Sequence, residues 1–333
     1  MFFFILTLSA IFCGLLCASR AARADGCDDA ENKLNIPNPS IVLVSSGTTD
    51  PRDVKDIMHV ESKIKMAFPC YDTHLSFTSR EIRQIWRERA QDLNFKKFFP
   101  QIDERFYEVK NVLTTLALIQ ETGPRLILVQ SLQLIDCPEY LDLCNLVDSL
   151  RLIKSVDRRS IPFPWLGLGS PAMGKGEGQR ENLYKVSEAL SSLFEEAKAK
   201  QAIVVLVTDR VGGVNPEVYR RLEEVLYFAY HVEVFIGIPQ ARDGFKVVWE
   251  KMDQKNASPG PIILAPLSLM VGEEARDDLA GEKEDSWANL FQAKGFTVFA
   301  RLDGLGGSDS FASIFVDSLK RLEDVVSHRY TSV

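Results

Sequence analysis

Basic residues are in deficit along this chain. Its 333 residues carry 39 Lys and Arg against 46 Asp and Glu, a net charge of −7. That balance excludes the electrostatic footprint of a nucleic-acid binder. No G-x-G-x-x-G dinucleotide fingerprint, Walker loop or nucleophile elbow is present, so the motifs of the commonest doubly wound enzymes are missing. The cysteines do not fall at zinc-ligand spacings. The apolar run Phe2–Leu16 is too short and wrongly flanked to span a membrane.

What is there begins with that run. Together with Ala22-Arg23-Ala24 before Asp25 it has the pattern of a secretory signal peptide. The reading predicts export to the periplasm or another extracytoplasmic space, with residues 1–24 removed after Ala24. The n-region lacks Lys and Arg, so a retained anchor is the alternative. Leu16 before Cys17 is too large for a lipidation box. Cys27, Cys70, Cys137 and Cys144 remain, and an oxidising compartment permits disulfides. A helix from Pro138 would set the Cα atoms of Cys137 and Cys144 roughly 10 Å apart, beyond bridging distance. A Cys27–Cys70 pair stays open.

The remainder alternates strands and helices. Strands are expected at Ile41–Ser45, Thr73–Phe77, Arg125–Leu134, Phe163–Leu168, Ala202–Val207, Val232–Ile238, Ile262–Val271 and Thr297–Leu302. Helices are expected from near Pro51, at about 78–89, at Phe106–Thr122, from Pro138 to Ile153, at Glu181–Lys200, Pro216–Ala229, Asp243–Asp253 and Ser286–Lys294, and from Phe311 to Ser327. Residues 90–103 have no assignment. This alternation predicts an α/β protein of parallel sheets flanked by helices. The stretch Pro261–Trp287 organises the chain. Its apolar run reads as a strand buried on both faces, and it hands over to an acidic loop with Glu273, Glu274, Asp277 and Asp278. Ligands of open α/β sheets sit at such handovers; the competing explanation is a helix start whose carboxylates favour its N-terminus.

Two internal matches suggest two similar lobes, 25–155 and 156–333, around a cleft. Val129–Ile135 aligns with Leu264–Met270, and Leu43–Gly47 aligns with Trp165–Gly169.

Six ordered stretches carry a family resemblance: IVLVSSGT at Ile41–Thr48, FPCYDTHLSFTSREIRQI at Phe68–Ile85, VQSLQLI at Val129–Ile135, the GLG turn at Gly167–Gly169, Pro261–Trp287 with its DSW ending, and GLGG with IFVDSL within Gly304–Leu319. The chain resembles the anaerobic sirohydrochlorin cobaltochelatases, class II chelatases related to ferrochelatase. The resemblance implies two chelatase-like lobes enclosing a tetrapyrrole, sirohydrochlorin or haem, into which Co2+ or Fe2+ is inserted. It leaves the oligomeric state open, a homo-oligomer included.

The departures from that family concern its ligand positions. Leu168 stands in the place of a His in the second Gly turn; a rival register through Met173–Gly176 would put Lys175 there. Glu274 stands in the place of a second His. Gln240 falls near the place of a Glu, and Gln133 in that of a third His. His59, His74, His231 and His328 fall on none of these positions and are expected in structural roles. Imidazole binds Co2+ well and titrates near neutrality, whereas Leu does neither and a carboxylate prefers harder cations. The expected cleft comprises Ser46, Gly47, Thr48, Gln133, Gly167, Gly169 and Ser170, with Glu274 and Asp278 as metal ligands and Arg80, Arg83 and Lys175 as partners for ring carboxylates. Three readings follow: an exported tetrapyrrole- or metal-binding protein with weak or lost chelatase activity, a working chelatase with a carboxylate site, or a non-catalytic partner of a true chelatase.

Overall fold

The computed structural model describes residues 39–123, 126–157, 161–208, 217–239 and 244–331, with side chains to residue 326. Residues 1–38, with the expected leader and Cys27, lie outside that set, as does Gln240.

The strands are β1 (Ser40–Ser45), β2 (Asp72–Phe77), β3 (Leu126–Ser131), β4 (Trp165–Gly169), β5 (Ile203–Thr208), β6 (Val234–Gly237), β7 (Pro261–Leu267) and β8 (Thr297–Ala300). They form two parallel four-stranded sheets, ordered β2-β1-β3-β4 and β6-β5-β7-β8. SIVLVS of β1 and LILVQS of β3 are buried along their whole length. Such continuous apolar runs are what a sheet covered on both faces requires.

The helices are α1 (Val54–Ala67), α2 (Arg80–Arg89), α3 (Leu93–Phe98), α4 (Val112–Thr122), α5 (Pro138–Arg151), α6 (Gln179–Ala189), α7 (Ser191–Lys200), α8 (Glu217–Tyr230), α9 (Gly244–Gln254), α10 (Glu273–Ala280), α11 (Trp287–Ala293) and α12 (Asp309–Thr331). Local caps explain several boundaries. Ser79 accepts from the Ile82 N–H to open α2. Asn111 accepts from Thr114 N–H at 2.8 Å and starts α4 there, later than the expected Phe106. The preceding residues are held elsewhere, because Lys110 bridges to Ser76 of β2. The expected helix 181–200 is two helices, broken at Leu190. The unassigned 90–103 stretch contains α3, capped by Asp92, whose Phe95 packs edge-on against Trp86.

Pairing corrects two sequence expectations. β4 is the edge strand of the first sheet, so Trp165–Gly169 belongs with the N-terminal strands and not with the lobe expected from residue 156. The common strand order makes β3 the counterpart of β7, as the first internal match implies. It makes β1 the counterpart of β5, so the match of Leu43–Gly47 to Trp165–Gly169 pairs unrelated strands. Any buried strand ending at a tight turn shares Leu and Gly, and only pairing separates them.

α12 returns from the second sheet to cover β4 and β3 and packs on α1 and α6. One hydrophobic core therefore runs through both sheets, from Leu43 and Leu128 to Leu206, Ile263 and Phe315. Cys137 and Cys144 are free, and the helix that starts between them keeps them from bridging each other. Cys70 is disulfide-bonded.

Candidate functional site

In each parallel sheet the order in which strands are added switches direction between the two central strands, so a crevice opens at their carboxyl ends, where ligands of such sheets bind. The two crevices face one cleft of about 700 Å³. The first sheet contributes Ser45–Thr49 after β1, Leu132–Leu134 after β3, and Glu81, Ile82 and Ile85 of α2. The second contributes Val207 and Thr208 of β5, Pro239, Pro266, Leu269–Gly272 after β7, then Glu273, Glu274, Asp277 and Asp278 of α10, and Trp287.

The two walls differ in charge. Five carboxylates line the cleft, four of them on α10, and no Lys, Arg or His stands among its described lining residues. Glu81 is held below the ordinary carboxylate range by its own backbone N–H and by the Ser79 hydroxyl. Glu273 and Glu274 occupy the first turn of α10, where acidic groups favour the helix N-terminus. The same residues thus stabilise a helix start and face the cleft.

β7 ends at Leu267, short of the expected Val271. The carbonyls of Ser268 and Leu269 leave the sheet to accept from Leu305 and Gly306, at 2.9 and 3.0 Å, in the GLGG turn. Gly272 then adopts φ +73°, a conformation that disfavours other residues, and turns the chain into α10.

A buried ionic network lies beneath this turn. Asp53 accepts from Gly272 N–H at 2.7 Å and pairs with Arg276 at 2.5 Å. Arg276 also meets Asp50 at 3.3 Å and donates to the Leu302 carbonyl at 2.5 Å. Burial pushes the Asp50 carboxyl up, but hydrogen bonds from Arg52 and the charges of Arg52 and Arg276 hold it below its ordinary range. Trp86 donates to the Thr48 carbonyl at 2.8 Å, bracing the same loop from its other side. Sequence reading did not single out Asp50, Asp53 or Arg276. The available signal was an Arg alone among four acids at 273–278, facing a D-x-R-D run at Asp50–Asp53.

Of the expected site residues, the structure brings together Ser46, Gly47, Thr48, Gln133, Glu274 and Asp278. It does not bring Gly167, Leu168, Gly169 or Ser170 to the cleft. Leu168 packs on the helix-covered cluster with Val42, Val129 and Leu166. A Cβ on Gly169 would fall 2.2 Å from Gln130 Oε1, so this glycine serves close packing inside the first sheet. Leu168 therefore cannot oppose Glu274. The topological counterpart of the Ser46–Thr49 loop is the segment after Thr208, of which residues 209–216 lie outside the described set.

The expected charge partners are also elsewhere. Arg83 donates to the carbonyls of Phe77 and Thr78. Arg80 is exposed, and neither it nor Lys175 lines the cleft. His59 pairs with Asp309 at 2.9 Å. Burial lowers the pKa of His74 in β2. His231 sits at φ 54° with its ring edge-on to Tyr227. The His328 side chain lies outside the described set. Glu274 and Asp278 are one turn apart on one face of α10. Among the described residues, however, no three His, Cys, Asp or Glu side chains converge as a metal-ligand set.

With this geometry in place, the sequence matches the family model for cobalt chelatase (CbiK) over residues 39–324. It is 22% identical to the sirohydrochlorin cobaltochelatase of Salmonella typhimurium over 281 residues, covering 84% of this chain and 94% of the relative. It is also 22% identical to the sirohydrochlorin cobaltochelatase CbiKC of Nitratidesulfovibrio vulgaris over 292 residues, 87% and 92% of the two chains. Among solved structures, the sirohydrochlorin chelatase SirB of Bacillus subtilis subspecies spizizenii, crystallised with cobalt, superposes with a TM-score of 0.53 at 14% identity, covering 86% of this chain and 96% of that one.

Proposed function

Since the chain belongs to the cobalt chelatase (CbiK) family, we propose that its interlobe cleft takes a tetrapyrrole of the sirohydrochlorin type and a divalent metal as substrate, and that metal insertion is slow. The observation that carries this reading is the composition of the cleft. Its position and volume suit a small-molecule site built at two topological switch points. Its described lining holds carboxylates and no imidazole.

The chemistry follows from those groups. Insertion requires a ligand that holds the cation near the ring and a base that takes the pyrrole protons. On the second-sheet wall Glu274 serves as both. A carboxylate binds Co2+ less selectively than imidazole and is the weaker base of the two. On the opposite wall Ser46, Thr48 and Gln133 offer hydrogen bonds but no strong metal ligand. Residues 209–216 read DRVGGVNP and contain no histidine. The acidic wall attracts the cation and turns the ring carboxylates toward the open mouth. The number of carboxylates favours one second reading, a working chelatase whose site is built from acids.

We further propose that the protein is exported. The disulfide at Cys70 supports this, because such bonds persist in oxidising compartments.

Titration of the pure protein with sirohydrochlorin, with and without Co2+, tests the reading by absorbance. Expected are a perturbed tetrapyrrole spectrum on mixing and slow conversion to the cobalt form. No spectral change with sirohydrochlorin or haem refutes the tetrapyrrole site, and rapid conversion establishes the acid-based chelatase.

A further inference from the structure

We propose that Arg276 is a positioning residue for this cleft: it ties the acidic wall on α10 to the loop after β1, and so sets the separation of two walls that belong to different sheets. The inference rests on the cleft being the working site. The Arg276 side chain is 17% exposed and lies between carboxylates that are 4% exposed at Asp50 and 1% at Asp53. All its edges are used, on Asp50, on Asp53 and on the Leu302 carbonyl. Asp53 spends its second oxygen on the Gly272 N–H, so one carboxylate of the first half holds both the residue before α10 and the fourth residue within it. The chain on either side of the network is cleft lining: Thr48 and Thr49 on one side, Glu273 and Glu274 on the other.

A planar guanidinium meets this geometry and an ammonium does not, because only the fork reaches two carboxylates and a carbonyl at once. Without the arginine, Asp50 keeps its pair with Arg52, but the buried Asp53 beside it loses its ion-pair partner, a costly arrangement that moving the walls apart relieves. The Gly272 N–H would go with the wall, and α10 would carry Glu274 to a new distance from Thr48.

The four tryptophans supply the test. Trp86 is hydrogen-bonded to the loop at Thr48, and Trp287 lines the cleft beside α10. Trp165 of β4 and Trp249 of α9 stand apart from the network and serve as controls. The whole protein is labelled with 5-fluorotryptophan, and its 19F resonances are assigned by single Trp→Phe changes. In Arg276→Gln the Trp86 and Trp287 lines should shift or split while those of Trp165 and Trp249 stay in place. Asp53→Asn should reproduce that pattern, and Arg276→Lys should give a smaller displacement. Titration with Co2+ alone should show affinity reduced several-fold in Arg276→Gln and partly regained in Arg276→Lys. Unmoved Trp86 and Trp287 lines overturn the proposal. So does displacement of all four lines in the lysine variant, which would make the residue a general support of the fold. A wild-type protein that binds no Co2+ refutes the functional reading, while the fluorine pattern still decides the role of Arg276.

Discussion

The two sheets share one strand order and use it differently. In the first, the cleft-lining turns Ser46–Thr49 and Leu132–Leu134 carry no charged side chain and are self-bonded: Ser45 Oγ accepts from the Gly47 N–H, and Ser131 Oγ from the Gln133 N–H. In the second, the equivalent end of β7 carries the four acids of α10. The edges differ as well. β4 is covered by α12, whereas β8 has no fully buried residue. The same topology thus supplies a rigid floor in one half and a charged wall in the other. A pseudo-repeat therefore predicts where a site lies better than it predicts what each half contributes.

Phe315 is the sharpest way to break the comparison, because it packs in the core common to both sheets and is fully buried. Phe315→Ala should cost about 3–5 kcal/mol, read as one cooperative loss in chemical denaturation. Two separate transitions would show that the halves fold independently.

The acidic wall is tested next. Glu274→His should raise cobalt insertion on the order of 10²-fold, the low end of what one placed acid–base group contributes. Leu168→His should leave it unchanged, since Leu168 faces a hydrophobic cluster. Stopped-flow absorbance with sirohydrochlorin and Co2+ measures both; a gain from the Leu168 variant would mean that the first sheet reaches the site through β4.

A smaller effect separates the two edges. Gly169→Val would crowd Gln130 and should cost about 1–3 kcal/mol in thermal melting, with tetrapyrrole binding retained. The corresponding change at the exposed edge, Ala300→Val, should lie within about 0.5 kcal/mol of the parent. Loss of binding in a folded Gly169 variant would return that glycine to the site.

The smallest effect lies where the halves meet. Asp56 of α1 is buried against Gly304 and Gly306, and burial pushes its carboxyl up to about 6. A carboxyl raised on folding contributes stability at pH values below its unfolded pKa and loses it as pH rises through about 6. Asp56→Asn should therefore stabilise the protein by roughly 1–2 kcal/mol at pH 7.5 and by much less near pH 4. Asp50 has the opposite sign: its lowered carboxyl contributes stability above the unfolded pKa that is lost on acidification. Denaturation curves of both Asn variants against pH should diverge in opposite directions. Parallel curves would show that the two carboxylates have similar surroundings.

Much of the fold and part of the site were legible in the chain. Apolar runs marked the central strands β1, β3, β5 and β7, because strands buried on both faces must be apolar along their length. Ser79 and Glu81 marked the start of α2, since a cap acts over three residues. The acids after Gly272 marked one cleft wall because they directly follow a buried strand. Asn111 was not read as a cap, so α4 was expected to begin too early. The break at Leu190 had no glycine or proline to announce it.

The sequence by itself determined the alternation of strands and helices and the family. Each of these rests on residue type and short-range pattern. Only the tertiary structure decided that β4 joins the first sheet, that Gly169 packs on Gln130, and that Arg276 spans to Asp50 and Asp53. Pairing and ion bridges of this kind join residues far apart in the chain. Their partners are selected by burial and geometry, to which local sequence periodicity is blind.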